Sequence, residues 1–266
     1  MTSWDIAALV AIILLGVPHG GFDAAIARRS GWKMNDALAW LGFHSAYLLL
    51  AIAVAILWWW FPLISLGGFL LISGLHFGAS DIAETGSDGL PWLTHGGLVS
   101  VAIPNFHSEE VLTLFSFLSS VQAAQQLLNI LSVVFFIWML CCAGYCIFTF
   151  YHREYLKPLL NLLALIGIMF VTPPLVGFAL YFCLWHSRGH MLRLWNSLPS
   201  NVRYGATREA LIYTLLAWGT GLVLFYYLNG SPTEIVFRLT FIGLAALTLP
   251  HMILVDLLDK RRESVL

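Results

Sequence analysis

Two histidines near the end of a long apolar run carry the clearest chemistry in this sequence. His186 and His190 stand four residues apart in the stretch LYFCLWHSRGHM. On an α-helix this spacing puts both imidazoles on one face, one turn apart, where two neutral rings can bind one metal ion. An isolated pair of this kind is equally consistent with two interfacial polar residues that bind nothing, so the rest of the chain must decide between these interpretations.

Histidines also end other apolar runs. His19 lies in the stretch PHGGFD, and His76 lies in the stretch LHFGASD. Polar side chains inside a membrane are costly and usually face the interior of a helix bundle, and imidazole is a good ligand for zinc, copper, iron and nickel. The pattern therefore predicts a metal site with these four histidines as ligands: His19, His76, His186 and His190.

Three aspartates follow histidines at about one helical turn. They are Asp23, Asp81 and Asp256. A metal-bound imidazole usually donates its other N–H group to a carboxylate or a carbonyl, so we expect these carboxylates to orient ligand histidines. Ordinary caps and counter-charges at a membrane interface explain them equally well. His95 and His251 are alternates for a ligand or an orienting position, and we expect His44 to be a hydrogen-bonded core histidine.

The composition places the chain in a membrane. Of its 266 residues, 59% are hydrophobic and 10% are charged, whereas soluble domains carry about 25% charged residues. The net charge of −1 argues against nucleic acid as a partner. We therefore predict an all-α, polytopic membrane helix bundle, with residues 1–266 forming a single integral-membrane domain.

Nine apolar runs can be read as membrane crossings, because a helix needs about 20 residues to span the hydrocarbon core. They are residues 4–20, 37–60, 63–80, 90–103, 121–151, 158–171, 175–191, 210–228 and 235–258. A polar loop with Arg28, Arg29 and Lys33 is expected to follow the first run. The fourth run, 90–103, is too short to span comfortably and is expected to be a short or re-entrant segment. Residues 108–118 are expected to form an amphipathic helix between the fourth and fifth runs.

The distribution of positive charge predicts the orientation of this bundle. With the N-terminus outside, nine crossings and the C-terminus inside, every Lys and Arg except Arg238 falls on the cytoplasmic side. The same layout puts the four candidate ligands at the cytoplasmic ends of their helices, at one depth. If residues 90–103 are instead re-entrant, His186 and His190 lie across the membrane from His19 and His76, and the basic loops divide between the two sides. Both consequences count against that alternative.

The identity of the metal stays open at this level. Four neutral imidazoles leave divalent iron with its full charge and with two open positions, which suit O₂ and water. Zinc in a closed tetrahedral site would instead be structural. The residues alone do not choose between these two metals.

Four segments resemble the Brp/Blh family of membrane-embedded β-carotene 15,15′-dioxygenases from bacteria and archaea. They are PHGGFD (18–23), LHFGASD (75–81), WHSRGH (185–190) and LPHMILVD (249–256). The resemblance covers essentially the whole chain, including the order and spacing of the segments. It implies O₂-dependent cleavage of the central 15,15′ double bond of β-carotene into two retinal molecules, with Fe²⁺ held by His19, His76, His186 and His190.

The apolar runs and the charge pattern predict a location in the cell (inner) membrane with the metal site toward the cytoplasm. The resemblance also implies a functional link to a retinal-binding rhodopsin. It assigns no substrate-binding residues. Rival classes are an intramembrane zinc hydrolase acting on a lipid and a non-enzymatic bundle that binds haem or metal. A di-iron desaturase or hydroxylase is disfavoured, because it needs about twice as many histidines. A retinylidene receptor is disfavoured because no apolar run contains a lysine.

Overall fold

A computed structural model describes residues 1–83, 85 and 89–259, and these residues contain helices and no strand. The predicted all-α class is confirmed. The α-helices, in chain order, are α1 Ser3–Ala11, α2 Asp23–Arg29, α3 Ala37–Trp60, α4 Pro62–Asp81, α5 Leu90–Gly97, α6 Ile103–Phe106, α7 Ser108–Leu118, α8 Val121–Tyr151, α9 Leu156–Val171, α10 Pro174–Ala179, α11 Arg188–Ser197, α12 Ser200–Tyr227 and α13 Pro232–Met252. The acidic residues Glu84 and Asp88 and the basic tail residues Lys260, Arg261 and Arg262 lie outside the described residues.

Seven helical stretches in the described chain are long and apolar enough to cross a membrane. They are Ser3–Arg29, Ala37–Trp60, Pro62–Asp81, Val121–Tyr151, Arg153–Val171, Ser200–Tyr227 and Pro232–Asp256. The other two predicted crossings, 90–103 and 175–191, are also helical, but the first is short and the second carries Arg188 and two histidines. The protein is therefore a polytopic helix bundle, whereas nine crossings with the N-terminus outside stay a prediction.

Sequence patterns placed several helix boundaries correctly and one loop incorrectly. Helices α3, α7 and α8 begin and end where the apolar and amphipathic runs predict. The first run was expected to end near Gly20 in a polar loop containing Arg28 and Arg29, and this expectation is wrong. The chain stays helical to Arg29, because a 3₁₀ turn at Val17–Phe22 accommodates Pro18 near its start and leads directly into α2.

Wide π-helical turns occur beside four histidines. These turns are Ile12–Gly16, Leu98–Ala102, Leu180–Ser187 and Ile253–Asp259. Each contains or directly adjoins a segment that carries His19, His95, His186 or His251, and π turns are frequent at functional sites. The expected single α-helix through His186 and His190 is therefore wrong, since the backbone is π-helical up to Ser187 and α-helical from Arg188.

The chain forms two compact units. Unit 1 contains Leu9–Trp60 and the described residues from Cys183 onward, and unit 2 contains Phe61–Phe182 with Thr2–Ala8. Within unit 1, α13 packs along α3, and α12 packs on the 3₁₀ turn that carries His19. Gly21 permits that approach, because a Cβ atom there would lie 2.7 Å from the carbonyl oxygen of Ala210. The single membrane domain stays a prediction.

Unit 2 is built on a close contact between α4 and α5. A Cβ atom on Gly96 would lie 2.2 Å from the carbonyl oxygen of Gly74, and one on Gly78 would lie 2.3 Å from the carbonyl oxygen of Trp92. Small residues let two helix backbones approach closely within a membrane. The contact buries most of the segment from Pro91 to Pro104, so this short run is covered by protein along much of its length.

Candidate metal centre

Four histidine rings gather in unit 1. The centroid of the His19 ring lies 5.8 Å from that of His186, 6.1 Å from that of His190 and 5.3 Å from that of His251. The rings of His190 and His251 are 5.4 Å apart, and all four residues are buried. The structure thus brings together three of the four predicted ligands and adds the alternate His251.

His19 is held by the turn that precedes it. Its Nδ1–H group donates to the carbonyl oxygen of Gly16, and the hydroxyl of Ser187 lies 3.3 Å from the same nitrogen. A neutral ring that donates through Nδ1 carries its lone pair on Nε2. The π turn before His19 and the 3₁₀ turn that contains it thus leave a buried imidazole whose Nε2 is in the form that metals bind.

Asp23 joins two other helices of unit 1. His251, near the end of α13, donates from Nδ1 to Asp23 Oδ1 at 2.7 Å, and the hydroxyl of Tyr47 on α3 donates to Asp23 Oδ2 at 2.7 Å. Asp23 therefore orients a histidine of the cluster, as predicted for a carboxylate near a metal, but that histidine is His251 and not its near neighbour His19. The prediction that Asp23 serves a metal ligand stays a prediction.

Unit 2 contains the remaining candidates. His76 on α4 is buried, and Asp81 ends the same helix five residues later. The hydroxyl of Tyr181 donates to Asp81 Oδ2 at 2.9 Å, and His95 Nδ1 lies 3.5 Å from the same oxygen. Within the described part of the chain, neither ring nitrogen of the fully buried His95 makes a hydrogen bond.

The other predicted polar residues are not part of the ring cluster. Asp256 is half-buried within the π turn Ile253–Asp259 and is near enough to His251 to act on it electrostatically, and its orienting role stays a prediction. His44 is hydrogen-bonded as expected, with Nδ1 2.8 Å from the carbonyl oxygen of Trp40 and Nε2 2.8 Å from the hydroxyl of Tyr213. It is only half-buried, so its expected place in the core is wrong. Both its nitrogens are thus occupied by groups of the protein.

The arrangement suits a metal by donor type but is not yet a coordination sphere. Across residues 1–83, 85 and 89–259, no three His, Cys, Asp or Glu side chains already surround a common point at ligand distance. Buried imidazoles, one of them backed by a carboxylate, are nevertheless the type of donor that divalent iron or zinc takes up. Metal binding therefore requires side-chain rotation within a cluster whose members are already adjacent.

Sequence reasoning missed the two tyrosines, Tyr47 and Tyr181. Each is distant in sequence from the aspartate it contacts, and each looks like one more aromatic residue in an apolar run. The π turns were also missed, although two of them adjoin the repeated Pro-His pairs Pro18-His19 and Pro250-His251. A proline inside a helix removes a backbone N–H donor, and this was the one local signal for a change of helical pitch.

Comparisons with known proteins agree with one another. A family model described as beta-carotene 15,15′-dioxygenase matches residues 10–259. A beta-carotene 15,15′-dioxygenase from uncultured marine bacterium 66A03 is 35% identical over 98% of this chain and 96% of its own. A probable beta-carotene 15,15′-dioxygenase Blh from Halobacterium salinarum is 33% identical over 34% of this chain and 30% of its own. No solved structure matches the chain.

Proposed function

We propose that this chain, which belongs to the beta-carotene 15,15′-dioxygenase family, cleaves the central double bond of β-carotene with O₂ to give two molecules of retinal. Each carbon of the broken double bond takes one oxygen atom of O₂, so the products are two aldehydes and nothing else is released. The observation that carries the proposal is the family match over residues 10–259, a range that contains every candidate histidine.

We propose that ferrous iron is the cofactor and that His19, His76, His186 and His190 hold it. The donor set fits, because imidazole is a common ligand of divalent iron and the neutral rings leave the charge of the ion in place. His19 supports this choice, since its Nδ1–H group is given to the carbonyl of Gly16 and its Nε2 is left with the lone pair. When bound, the iron supplies the activation of O₂ that an isolated alkene lacks.

The protein itself contributes position and a dry environment. The reaction needs no proton transfer, so no acid or base has to be found among the buried side chains. β-Carotene is a hydrocarbon, and burial of its surface among apolar and aromatic side chains is the interaction available to hold it. The burial of His186 and His190 supports a site from which bulk water is excluded.

The membrane provides both substrate and setting. The seven apolar helices support an integral protein of the cell (inner) membrane, from which a hydrocarbon substrate can enter directly. The positive-inside pattern supports a metal site toward the cytoplasm. A retinal-binding rhodopsin that uses the product is a further part of the proposal, drawn from the family resemblance alone.

The decisive experiment incubates detergent-purified, iron-loaded protein with β-carotene under ¹⁸O₂. Rapid reduction of the aldehydes to retinol prevents exchange of their oxygen with water, and mass spectrometry then counts ¹⁸O. We expect retinol as the single product, with one ¹⁸O atom in each molecule. Products of unequal length, or oxygen from water, would contradict the proposal.

The matched variants are His186→Ala and His44→Ala. We expect His186→Ala to lose iron and activity together, because a proposed ligand is removed. We expect His44→Ala to keep both, since His44 is bonded to Trp40 and Tyr213 and lies outside the ring cluster. An active His186→Ala protein that contains no iron would refute the assigned role.

A further inference from the structure

We propose that His251 is an additional metal ligand and that Asp23 orients it. The inference deepens the proposed function and rests on the presence of a metal there, although its test measures metal binding and not β-carotene cleavage. It extends the predicted ligand set to five histidines and gives Asp23 a partner on another helix.

The His251 ring lies close to two of the proposed ligands. It lies 5.3 Å from the His19 ring and 5.4 Å from the His190 ring, closer to each than those two rings are to one another. Nitrogens bound to one ion are about 3 Å apart, because metal–nitrogen bonds are about 2.1 Å long. Ring centres at 5.3 to 6.1 Å can reach that separation mainly by rotation. A metal held by His19 and His190 therefore lies within reach of His251.

The hydrogen bond to Asp23 decides which nitrogen of His251 can bind a metal. The Nδ1–H group donates to Asp23 Oδ1 at 2.7 Å, so a neutral His251 ring has its lone pair on Nε2. A carboxylate behind a histidine fixes the ring orientation and makes the opposite nitrogen a better donor to a metal. Asp23 is 4% exposed and His251 is 4% exposed, so water does not compete for this hydrogen bond.

Asp23 is itself held in place by a second hydrogen bond. Its other carboxylate oxygen accepts the hydroxyl of Tyr47 at 2.7 Å, so both oxygens receive one donor each. Tyr47 comes from α3 and His251 from α13, and these two helices pack along each other. The carboxylate is thus clamped between helices, as a residue that aims a ligand must be.

His44 shows what a histidine with a structural role looks like in the same unit. Its Nδ1 bonds a carbonyl of its own helix, its Nε2 bonds the hydroxyl of Tyr213, and its ring packs on Trp40 with centroids 4.1 Å apart. His251 differs in that one nitrogen is given to a carboxylate and the ring lies among other histidines. This contrast distinguishes a ligand from a packing residue.

The test compares His251→Ala, His251→Gln, Asp23→Asn and His44→Ala with the natural chain. Each purified protein is titrated with Co²⁺ to obtain a dissociation constant. The nitrosyl complex of the Fe²⁺ form is then examined by pulsed electron paramagnetic resonance with ¹⁵N-labelled histidine. We expect both His251 variants to bind metal at least 100-fold more weakly and to lose one coordinated imidazole. We expect Asp23→Asn to weaken binding about 10–100-fold with the imidazole count unchanged, and His44→Ala to match the natural chain.

Two results would overturn the inference. One is a folded His251→Gln protein with the natural metal affinity and imidazole count, and the other is a natural chain that binds neither metal. His251→Gln keeps most of the side-chain volume, so it covers the case in which His251→Ala does not fold. A chain that binds iron through five imidazoles yet leaves β-carotene intact would uphold the ligand and refute the proposed function.

Discussion

Each of the two units contains an aspartate that contacts a tyrosine and a histidine, but the two sets of contacts differ in geometry. In each, an aspartate about one turn beyond a candidate ligand histidine contacts a tyrosine and a second histidine. Asp23 in unit 1 uses one oxygen for each partner, with both contacts at 2.7 Å. In unit 2, Tyr181 at 2.9 Å and His95 at 3.5 Å both approach the same oxygen of Asp81.

This difference in geometry shows which histidine has a fixed tautomer. A hydrogen bond of 2.7 Å to a carboxylate fixes the tautomer of His251, whereas a nitrogen at 3.5 Å from its acceptor is at the limit of hydrogen bonding and leaves His95 without a fixed tautomer. Unit 1 therefore contains a hydrogen-bonded carboxylate–histidine pair, Asp23 and His251. Unit 2 holds the same residue types around a carboxylate that anchors mainly its tyrosine.

The largest expected change in stability comes from replacing either aspartate with asparagine, which removes one negative charge from one unit at a time. Asp23→Asn removes the charge that accepts hydrogen bonds from Tyr47 and His251 and puts an amide N–H₂ group against one of these two donors, so we expect a loss of about 3 kcal/mol in the free energy of unfolding. Asp81→Asn can keep its amide oxygen where Oδ2 now lies, so we expect a loss of about 1 kcal/mol. Unfolding by SDS in mixed micelles measures both.

Asp36→Asn is the control for this pair. Asp36 is exposed and accepts the backbone N–H groups of Leu38 and Ala39 at the start of α3, a capping role that asparagine fills equally well. Its expected change is close to zero. Equal losses at positions 23 and 81 would remove the distinction drawn between the two units.

The next effect concerns the close backbone contacts of each unit. An added methyl group at Gly78 would meet the Trp92 carbonyl at 2.3 Å, and one at Gly21 would meet the Ala210 carbonyl at 2.7 Å. We expect Gly78→Ala to lower the free energy of unfolding by about 2 kcal/mol and Gly21→Ala by about 1 kcal/mol, since backbone atoms yield little. Thermal unfolding in detergent measures the order of the two variants.

Gly68→Ala serves as the matched control in α4. No atom lies within 4 Å of a Cβ built there, so the substitution should stabilise the protein slightly through the better helix propensity of alanine. If Gly21→Ala lowered the free energy of unfolding more than Gly78→Ala, the helix contact in unit 1 would be the more rigid of the two.

The smallest expected change in stability comes from the two tyrosine variants, which differ in their expected effect on metal binding. Tyr47→Phe and Tyr181→Phe each remove one hydrogen bond to a buried carboxylate, and we expect each to cost about 1 kcal/mol. The stability losses should be similar, but only Tyr47→Phe should weaken Co²⁺ binding, because Asp23 then holds His251 less firmly. Tyr226→Phe, which changes a side chain exposed over 86% of its surface, should change neither quantity.

Much of the fold could be predicted because the signal lies in local composition. A helix in a membrane must satisfy its own backbone groups and present apolar side chains over about 20 residues, so the bounds of α3 and α8 follow from the apolar runs alone. The amphipathic α7 was equally clear. The continuation of helix through Pro18 to Arg29 was not, because it depends on a change of helical pitch that packing stabilises.

The candidate site was predictable in its residue types but not in its pairings. The spacing of Asp23 after His19 suggested that this carboxylate serves His19, yet the carbonyl of Gly16 takes that place and Asp23 bonds His251. Residues 228 positions apart meet there, and no periodicity carries information over such a distance. Tyr47 and Tyr181 were missed for the same reason.

The amino-acid sequence alone determined that this protein is an all-helical membrane bundle with buried histidines, because hydrophobicity and side-chain chemistry are properties of each residue and its near neighbours. Only the tertiary structure decided which histidines lie together, which ring nitrogens form hydrogen bonds within the protein, and which carboxylate accepts the hydrogen bond of His251. Those outcomes depend on how helices distant along the chain pack against one another.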